Sequence, residues 1–437
     1  MLEHIDRLTE LFNVCWPMYA AMPAVLKKAI EYAYKDCGWD LDNSINEYSE
    51  SYYPTFTDVA RNIKSIIDSS EYDAENKGAY KGSLLTRLES LTNGINGMIF
   101  TKDELSDEIL FDENTIVDLS RVGSNETKSL LMGILVLKLQ EYRMSTSDMN
   151  ANLRHITVLE EAHNLLKRTS FEQFSESSNL LGKSVEMISN AIAEMRTFGE
   201  GFIIADQAPA LLDMAAIRNT NTKIIMRLPD QGDRELVGKA ANLNDNQIKE
   251  LARLPKGVAA IYQNEWIEPI LCQIKKPKIN ESRYEFTPIP IKGDIEPLNN
   301  YRSFLATLIS KCNSITDENT LKEIKVAIDS INIHDSSRVA IINWLTNPPK
   351  EPKMTKMAPL ISELYPEVYR AVAKSFYDSN NPREWTLAAV NTLENIDCSL
   401  QGQIRRDIIQ SIITNHIYLE RNDIKSLEKW TKVGGLK

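Results

Sequence analysis

Residues 154–163 run Arg-His-Ile-Thr-Val-Leu-Glu-Glu-Ala-His. Ile156, Thr157, Val158 and Leu159 are mostly β-branched, a composition that suits a buried strand. The strand then ends in two adjacent acids, Glu160 and Glu161. An unpaired charge is costly inside a core, so the pair belongs at an exposed strand tip. A tip that faces a cation is a place where two carboxylates are useful. Glu160 is suited to hold Mg²⁺ through its water shell, and Glu161 to orient or deprotonate an attacking water. The plainer reading is a strand running into a polar loop.

The neighbouring segments repeat the pattern. Upstream, Thr115-Ile-Val-Asp-Leu-Ser120 precedes a polar turn and a long helix at Ser124–Met144. Downstream, a helical stretch leads through Ala191–Gly201 to a second apolar strand, Phe202-Ile-Ile-Ala205, which ends in Asp206-Gln207-Ala208-Pro209. A third, Lys223-Ile-Ile-Met-Arg-Leu228, ends in Pro229-Asp230. Strands that alternate with helices predict an α/β fold with a parallel sheet. Functional residues in such sheets gather beyond the carboxyl ends of the strands, where Glu160, Glu161 and Gln207 fall.

Six segments together resemble the HerA branch of the HerA/FtsK ATPases. They are Thr115–Arg143, the double-acid strand with Ala162-His-Asn-Leu-Leu166, Ala193-Glu-Met-Arg-Thr-Phe-Gly-Glu-Gly201, Ala205-Asp-Gln-Ala-Pro209, Asn219-Thr-Asn-Thr222 and Leu251–Tyr262. The likeness covers roughly residues 1–277 and is strongest over 115–275. It implies a RecA-like P-loop core, here partial, in which the double-acid strand is the Walker B strand. It further implies a hexameric ring motor that uses ATP and Mg²⁺ to move double-stranded DNA, working with a nuclease or another effector in DNA processing or phage defence.

One departure matters as much as the likeness. No G-x-x-x-x-G-K-[ST] loop, the Walker A motif, occurs anywhere in the chain. Gly182-Lys183-Ser184 imitates its end, but Ser177 stands at the first glycine position and the segment follows the acid strand inside an expected helix. Lys183 is therefore expected to be an ordinary surface lysine. The small β-barrel that precedes the motor core in the family is also missing, and Met1–Leu8 resembles the interior of its domain. The expectation is the carboxyl-terminal part of a longer ATPase, or one half of a split one.

The chain has 437 residues, 43% hydrophobic and 25% charged, as in ordinary globular proteins. That length suits two or three domains. No apolar run approaches the ~20 residues that span a bilayer, and Glu3, Asp6, Arg7 and Glu10 exclude a signal peptide at residues 1–20. The five cysteines are scattered, which points to a reducing cytoplasm and no metal cluster. The five histidines show no ligand spacing. A net charge of -11 disfavours nonspecific coating of nucleic acid; a ring translocase needs positive charge only at its pore.

The expected divisions are a helical segment of the motor at 1–110, the core at 111–280, a proline-spaced linker at 281–299 and an α-helical domain at 300–437. In the first, Leu2, Ile5, Leu8, Leu11 and Phe12 recur at helical spacing. Pro23 opens a helix at Ala24–Lys35, a position proline tolerates. Thr55–Ser69 and Ser83–Thr92 are further helices, separated by a polar, loop-like Tyr72–Gly82. Trp16 and Trp39 are expected in the core. Beyond the linker, Leu321–Ile331, Val339–Leu345, Pro366–Ser375, Trp385–Leu393 and Gln403–Ile417 show helical periodicity. Arg405, Arg406 and Lys425, Lys429, Lys432 and Lys437 are sparse, as on a solvated surface.

The expected site follows from the likeness. Mg-ATP lies at a subunit interface, with Glu160 on the metal, Glu161 on the water and Gln207 sensing the γ-phosphate. Arg196 or Arg227 is supplied by a neighbouring subunit to neutralise phosphate charge. Plainer roles stand beside these: a helix-end cation for Arg196, an inter-strand ion pair for Arg227, a strand-end turn for Gln207. Two other readings remain open, a non-catalytic ring or scaffold subunit that recruits an effector, and a helical DNA-binding adaptor centred on residues 300–437.

Overall fold

The structure is a computed structural model that describes residues 1–16, 18–102, 104–168, 176–278, 298–311, 315, 317–349, 354–397, 400 and 402–433, with backbone alone for 176–184 and 298–300. In chain order the elements are α1 (Leu2–Cys15), α2 (Met22–Asp36), β1 (Trp39–Asp40), β2 (Ile45–Asn46), α3 (Phe56–Ser69), α4 (Ala74–Tyr80), α5 (Thr86–Thr92), α6 (Gly94–Ile99), α7 (Asp107–Phe111), α8 (Asn125–Thr146), β3 (His155–Glu160), α9 (Glu176–Glu194), β4 (Glu200–Ala205), α10 (Met214–Asn219), β5 (Thr222–Ile225), α11 (Gln231–Ala240), α12 (Asp245–Glu250), β6 (Val258–Gln263) and β7 (Ile270–Gln273). Helices follow: α13 (Leu298–Lys311), α14 (Glu318–Asp329), α15 (Asp335–Thr346), α16 (Met354–Leu364), α17 (Pro366–Asp378), α18 (Pro382–Ile396), α19 (Gly402–Thr414) and α20 (Ile424–Val433). The fold is mixed α/β, mostly helical, with small sheets.

Two compact units divide the chain. Met1–Ile30 joins Ile63–Phe286 in the first, and Glu31–Asn62 joins Thr287–Lys437 in the second. In the first unit, β3 and β4 pair in parallel, with Leu159 opposite Ile204 and Glu160 opposite Ala205. Helix α8 starts where Ser124 accepts a hydrogen bond from the Thr127 N–H, and it packs against α1 and α9. Gly133 on α8 permits that approach, because a Cβ there would stand 2.0 Å from Leu11 Cδ1. On α1, Ile5, Leu11 and Phe12 are buried as the spacing predicts. Burial also pushes the Cys15 thiol up to about 12.

A buried ionic network ties α8 to the sheet. Arg143 Nε donates to Glu200 Oε2 at 3.0 Å, and Arg143 Nη1 to Asp112 at 2.7 Å. The other Glu200 oxygen takes Thr157 Oγ1 at 2.7 Å and His155 Nδ1 at 2.8 Å. Each buried charge is thus paired and hydrogen-bonded, the condition for tolerating it.

Three expectations need correction. Thr115–Ser120 is not a strand, and Ile116 is 94% exposed. A strand needs a ladder partner, and among the described residues this segment has none. The third strand, Lys223–Leu228, forms only as Thr222–Ile225 and pairs antiparallel with β6, which pairs antiparallel with β7. The described strands thus form separate small sheets rather than one parallel sheet, because Met226 and Arg227 leave the ladder before Pro229. Tyr72–Gly82 is helical rather than loop: Asp73 caps α4 by accepting from the Asn76 N–H at 2.8 Å, a preferred N-cap arrangement.

The second unit is helical apart from the β1–β2 pair. The expected periodic segments are α14, α15, α17, α18 and α19, and α13, α16 and α20 join them. Trp385, Tyr365, Ile361, Val368 and Ile412 are fully buried in one continuous cluster. Residues 31–62 are bound into this unit by polar contacts. Asp58 accepts from Ser336 Oγ at 2.5 Å, Tyr52 OH donates to Asp329 at 2.6 Å, and the Tyr53 N–H donates to Asp335 at 3.1 Å. Trp16 and Trp39 are both buried, as expected. Residues 281–297 of the expected linker lie outside the described residues, and Leu298 already begins α13. No helix among the described residues is long and apolar enough to cross a membrane.

Candidate functional site at the strand ends

Strands β3 and β4 end side by side, so the polar residues that follow each strand meet. Glu161 turns the chain out of β3 with φ 50° and ψ 48°. This left-handed conformation is unusual for a residue with a Cβ, and such outliers cluster at functional sites. A short 3₁₀ turn, Ala162–Asn164, follows. Its start is fixed by the Asn164 N–H and Nδ2, which both donate to the Glu161 carbonyl. After β4, Asp206 accepts from the Ala208 N–H through Oδ1 and from the His163 N–H through Oδ2, each at 2.8 Å. The Asp213 N–H donates to the Leu166 carbonyl at 2.9 Å, which laces the two loops together further on.

The side chains form a connected cluster. Gln207 Nε2 donates to Glu161 Oε1 at 2.7 Å. His163 Nδ1 lies 2.8 Å from Asp206 Oδ2 and 3.6 Å from Glu161 Oε2. The Asp206 side chain is nearly buried, whereas Glu161 and His163 remain partly open to solvent. One Glu161 oxygen is therefore held while the other faces the imidazole. Such a carboxylate is positioned to orient a water molecule or to take its proton.

The expected residues separate into two groups. Glu161 and Gln207 are brought together. Glu160 is exposed on the strand tip, one residue back, and has no hydrogen-bond partner among the described residues. Arg196 is exposed in the 3₁₀ turn Met195–Phe198. Arg227 is exposed beyond the end of β5 and makes no inter-strand ion pair among the described residues. Neither arginine joins the cluster. Backbone at Gly182-Lys183-Ser184 is helical within α9, and the Lys183 side chain lies outside the described residues.

His163 and Asp206 were missed as site residues. The contact between them is long-range, since Asp206 lies 43 positions from His163. The available signal was the parallel-strand pattern itself, because adjacent parallel strands place their carboxyl-terminal loops together.

Sequence comparison finds distant relatives over about half of the chain. Over 241 residues the chain is 24% identical to the DNA double-strand break repair helicase HerA of Sulfolobus acidocaldarius, a match spanning 54% of this chain and 46% of that protein. It is 25% identical over 229 residues to the protein of that name from Sulfurisphaera tokodaii, spanning 51% and 44%. Over about half of its length the chain thus resembles HerA helicases of the HerA/FtsK superfamily. This HerA-like chain spans about half the length of the curated relatives it matches. No family model matches it. Among solved structures, VirB4 of Thermoanaerobacter pseudethanolicus aligns with a TM-score of 0.46 and 15% identity, over 63% of this chain and 70% of that one.

Proposed function

We propose that this HerA-like chain is the water-activating half of a nucleotide-driven motor that moves double-stranded DNA, with a RecA-like core completed by another segment. The observation that carries the reading is the 2.7 Å contact between Gln207 and Glu161 at the ends of two parallel strands, in a chain 24% identical over 241 residues to a HerA helicase. The residues present suit the metal-and-water end of Mg-ATP. Glu160 offers an exposed carboxylate for Mg²⁺ through water, and Glu161 offers an oriented one for the attacking water. They do not suit the phosphate end, since the sequence has no Walker A loop. That cradle then comes from an upstream stretch or a separately encoded subunit. The bound nucleotide supplies the phosphoryl group; Glu161 holds the water and receives its proton, and Gln207 fixes Glu161 and contacts the γ-phosphate when it is present.

In this reading the complete protein is a cytoplasmic homo-oligomeric ring, most simply a hexamer, in which Arg196 or Arg227 faces a neighbour's nucleotide. A nuclease or another effector works beside it in DNA processing or phage defence. The exposed Ile156, Val158 and Ile203 on one face of the β3–β4 pair support a partial core, because parallel strands are ordinarily covered on both faces. The missing loop favours a second reading for the chain by itself: a non-catalytic ring subunit that keeps the fold and recruits the effector.

The test separates the two. Calorimetry on the 437-residue chain should show no micromolar binding of Mg-ATP. In the motor completed by a P-loop-bearing segment, Glu161→Gln should lower hydrolysis by ~10²–10⁴-fold, the usual contribution of a general base. An Arg196→Ala or Arg227→Ala subunit mixed with a Glu161→Gln subunit should regain part of the activity. Hydrolysis at the parental rate by the Glu161→Gln motor, or mixing that never rescues, favours the scaffold.

A further inference from the structure

Glu161, His163 and Asp206 each offer one ligand atom, and the three atoms lie within 4.8 Å of one another. The two measured separations from the imidazole nitrogen are 2.8 and 3.6 Å. An ion bound at ~2.0–2.2 Å by each ligand places neighbouring ligand atoms roughly 3–3.5 Å apart, so the two separations at His163 lie close to those of a coordination shell. Each ligand is also fixed from behind. The second Glu161 oxygen is held by Gln207, the second Asp206 oxygen by the Ala208 N–H, and Asp206 Oδ2 keeps a further lone pair beyond the His163 N–H it accepts. Such outer contacts orient ligands and raise affinity.

We propose that Glu161, His163 and Asp206 bind a first-row divalent transition metal ion directly, in the absence of nucleotide. One imidazole with two carboxylates fits manganese, iron or zinc. Magnesium prefers oxygen alone and gives up its water reluctantly. The ion takes the place of the hydrogen bond between His163 Nδ1 and Asp206 Oδ2. Three ligands on one side leave the opposite positions open to water or to a phosphate oxygen. The site uses the same strand ends as the motor reading, but it needs neither a nucleotide nor a completing segment.

Calorimetric titration of the chelator-treated full chain with manganese chloride, and separately with zinc and magnesium chlorides, tests this. One manganese ion per chain is expected. Magnesium should bind at least about tenfold more weakly, as expected for a site containing imidazole. His163→Asn and Glu161→Gln should each weaken manganese binding by about 100-fold, and Gln207→Ala by about tenfold, through the lost outer contact. Circular dichroism melts establish that the variants fold. If Asp206→Asn unfolds, the partly exposed Glu161 and His163 variants still decide the matter. No saturable site below ~1 mM, a range that already includes weak protein sites, overturns the proposal. So does magnesium binding as tight as manganese, or manganese binding unchanged in both His163→Asn and Glu161→Gln. A normal ion titration beside a Glu161→Gln motor that hydrolyses at the parental rate would remove the motor reading alone.

Discussion

The second unit packs its helices around one continuous apolar cluster, whereas the first leaves part of its sheet surface open. In the second, Trp385, Tyr365, Ile361 and Ile412 are sealed among helices on every side. In the first, Ile156, Val158 and Ile203 on β3–β4, and Ile224 and Ile270 on β5–β7, stay about half exposed. Ile224, Ile261 and Ile270 stand opposite one another across the antiparallel ladder, so this is an ordered row. A helical bundle can bury its stripes with helices of its own chain. A sheet needs a separate layer for each face. The acid-tipped unit adds to its packing a buried ionic network around Arg143 and Glu200.

That contrast breaks most sharply at Glu200. Glu200→Ala leaves Arg143 Nε buried without its acceptor while Nη1 stays on Asp112, which should destabilise the first unit by about 1.5–3 kcal/mol, the worth of a hydrogen bond to a charged group. Hydrogen exchange should show the loss in β3, β4 and α8 while α16–α19 keep their protection. Uniform loss across both units would mean that they do not unfold separately.

Acid should act differently on the second unit. His416 is buried beside Phe376 and Tyr369. Burial, with help from Arg421, pushes its pKa down to about 4. The Tyr369 hydroxyl donates its hydrogen bond to Glu420, so His416 Nδ1–H donates to Tyr369 and Nε2 is left without a partner. A proton on Nε2 would find no acceptor there. The unfolded chain binds that proton near pH 6.5 and the folded chain only near pH 4. Stability contributed by neutral His416 is therefore complete above about pH 6.5 and is lost as pH falls toward 4, by up to roughly 3 kcal/mol. Urea melts between pH 7 and 4 should show this decline for α17–α20, and His416→Phe should flatten it. An equally steep decline in that variant removes His416 as the cause.

The smallest effect sharpens the sheet itself. Val158 and Leu159 are adjacent, yet Val158 is 52% exposed and Leu159 8%. Val158→Thr should change stability by no more than about 0.5 kcal/mol, as on an ordinary surface. Leu159→Ala should cost about 2–5 kcal/mol. Equal losses would show that both faces of β3 are packed in solution.

Legibility followed the range of the interactions involved. The strand at His155–Glu160, helix α8 and most periodic helices beyond residue 318 could be read from the sequence, because period and capping act within a few residues. Glu161 and Gln207 were also legible, since both end an apolar run. Thr115–Ser120 and Lys223–Leu228 misled, because strand composition names no ladder partner. His163 and Asp206 stayed hidden because their partners come from the neighbouring strand.

The sequence by itself determined the acid-tipped strand, the HerA-like order of segments and the absence of a Walker A loop. These are matters of residue identity and local spacing. Only the tertiary structure decided that Glu161 is held by Gln207 and faced by His163 and Asp206, and that residues 31–62 are bound into the second unit. The reason is distance along the chain. Gln207 lies 46 positions from Glu161, and Ser336 lies 278 positions from Asp58. Contacts of that separation exist only once strand register and helix packing have fixed where each backbone runs.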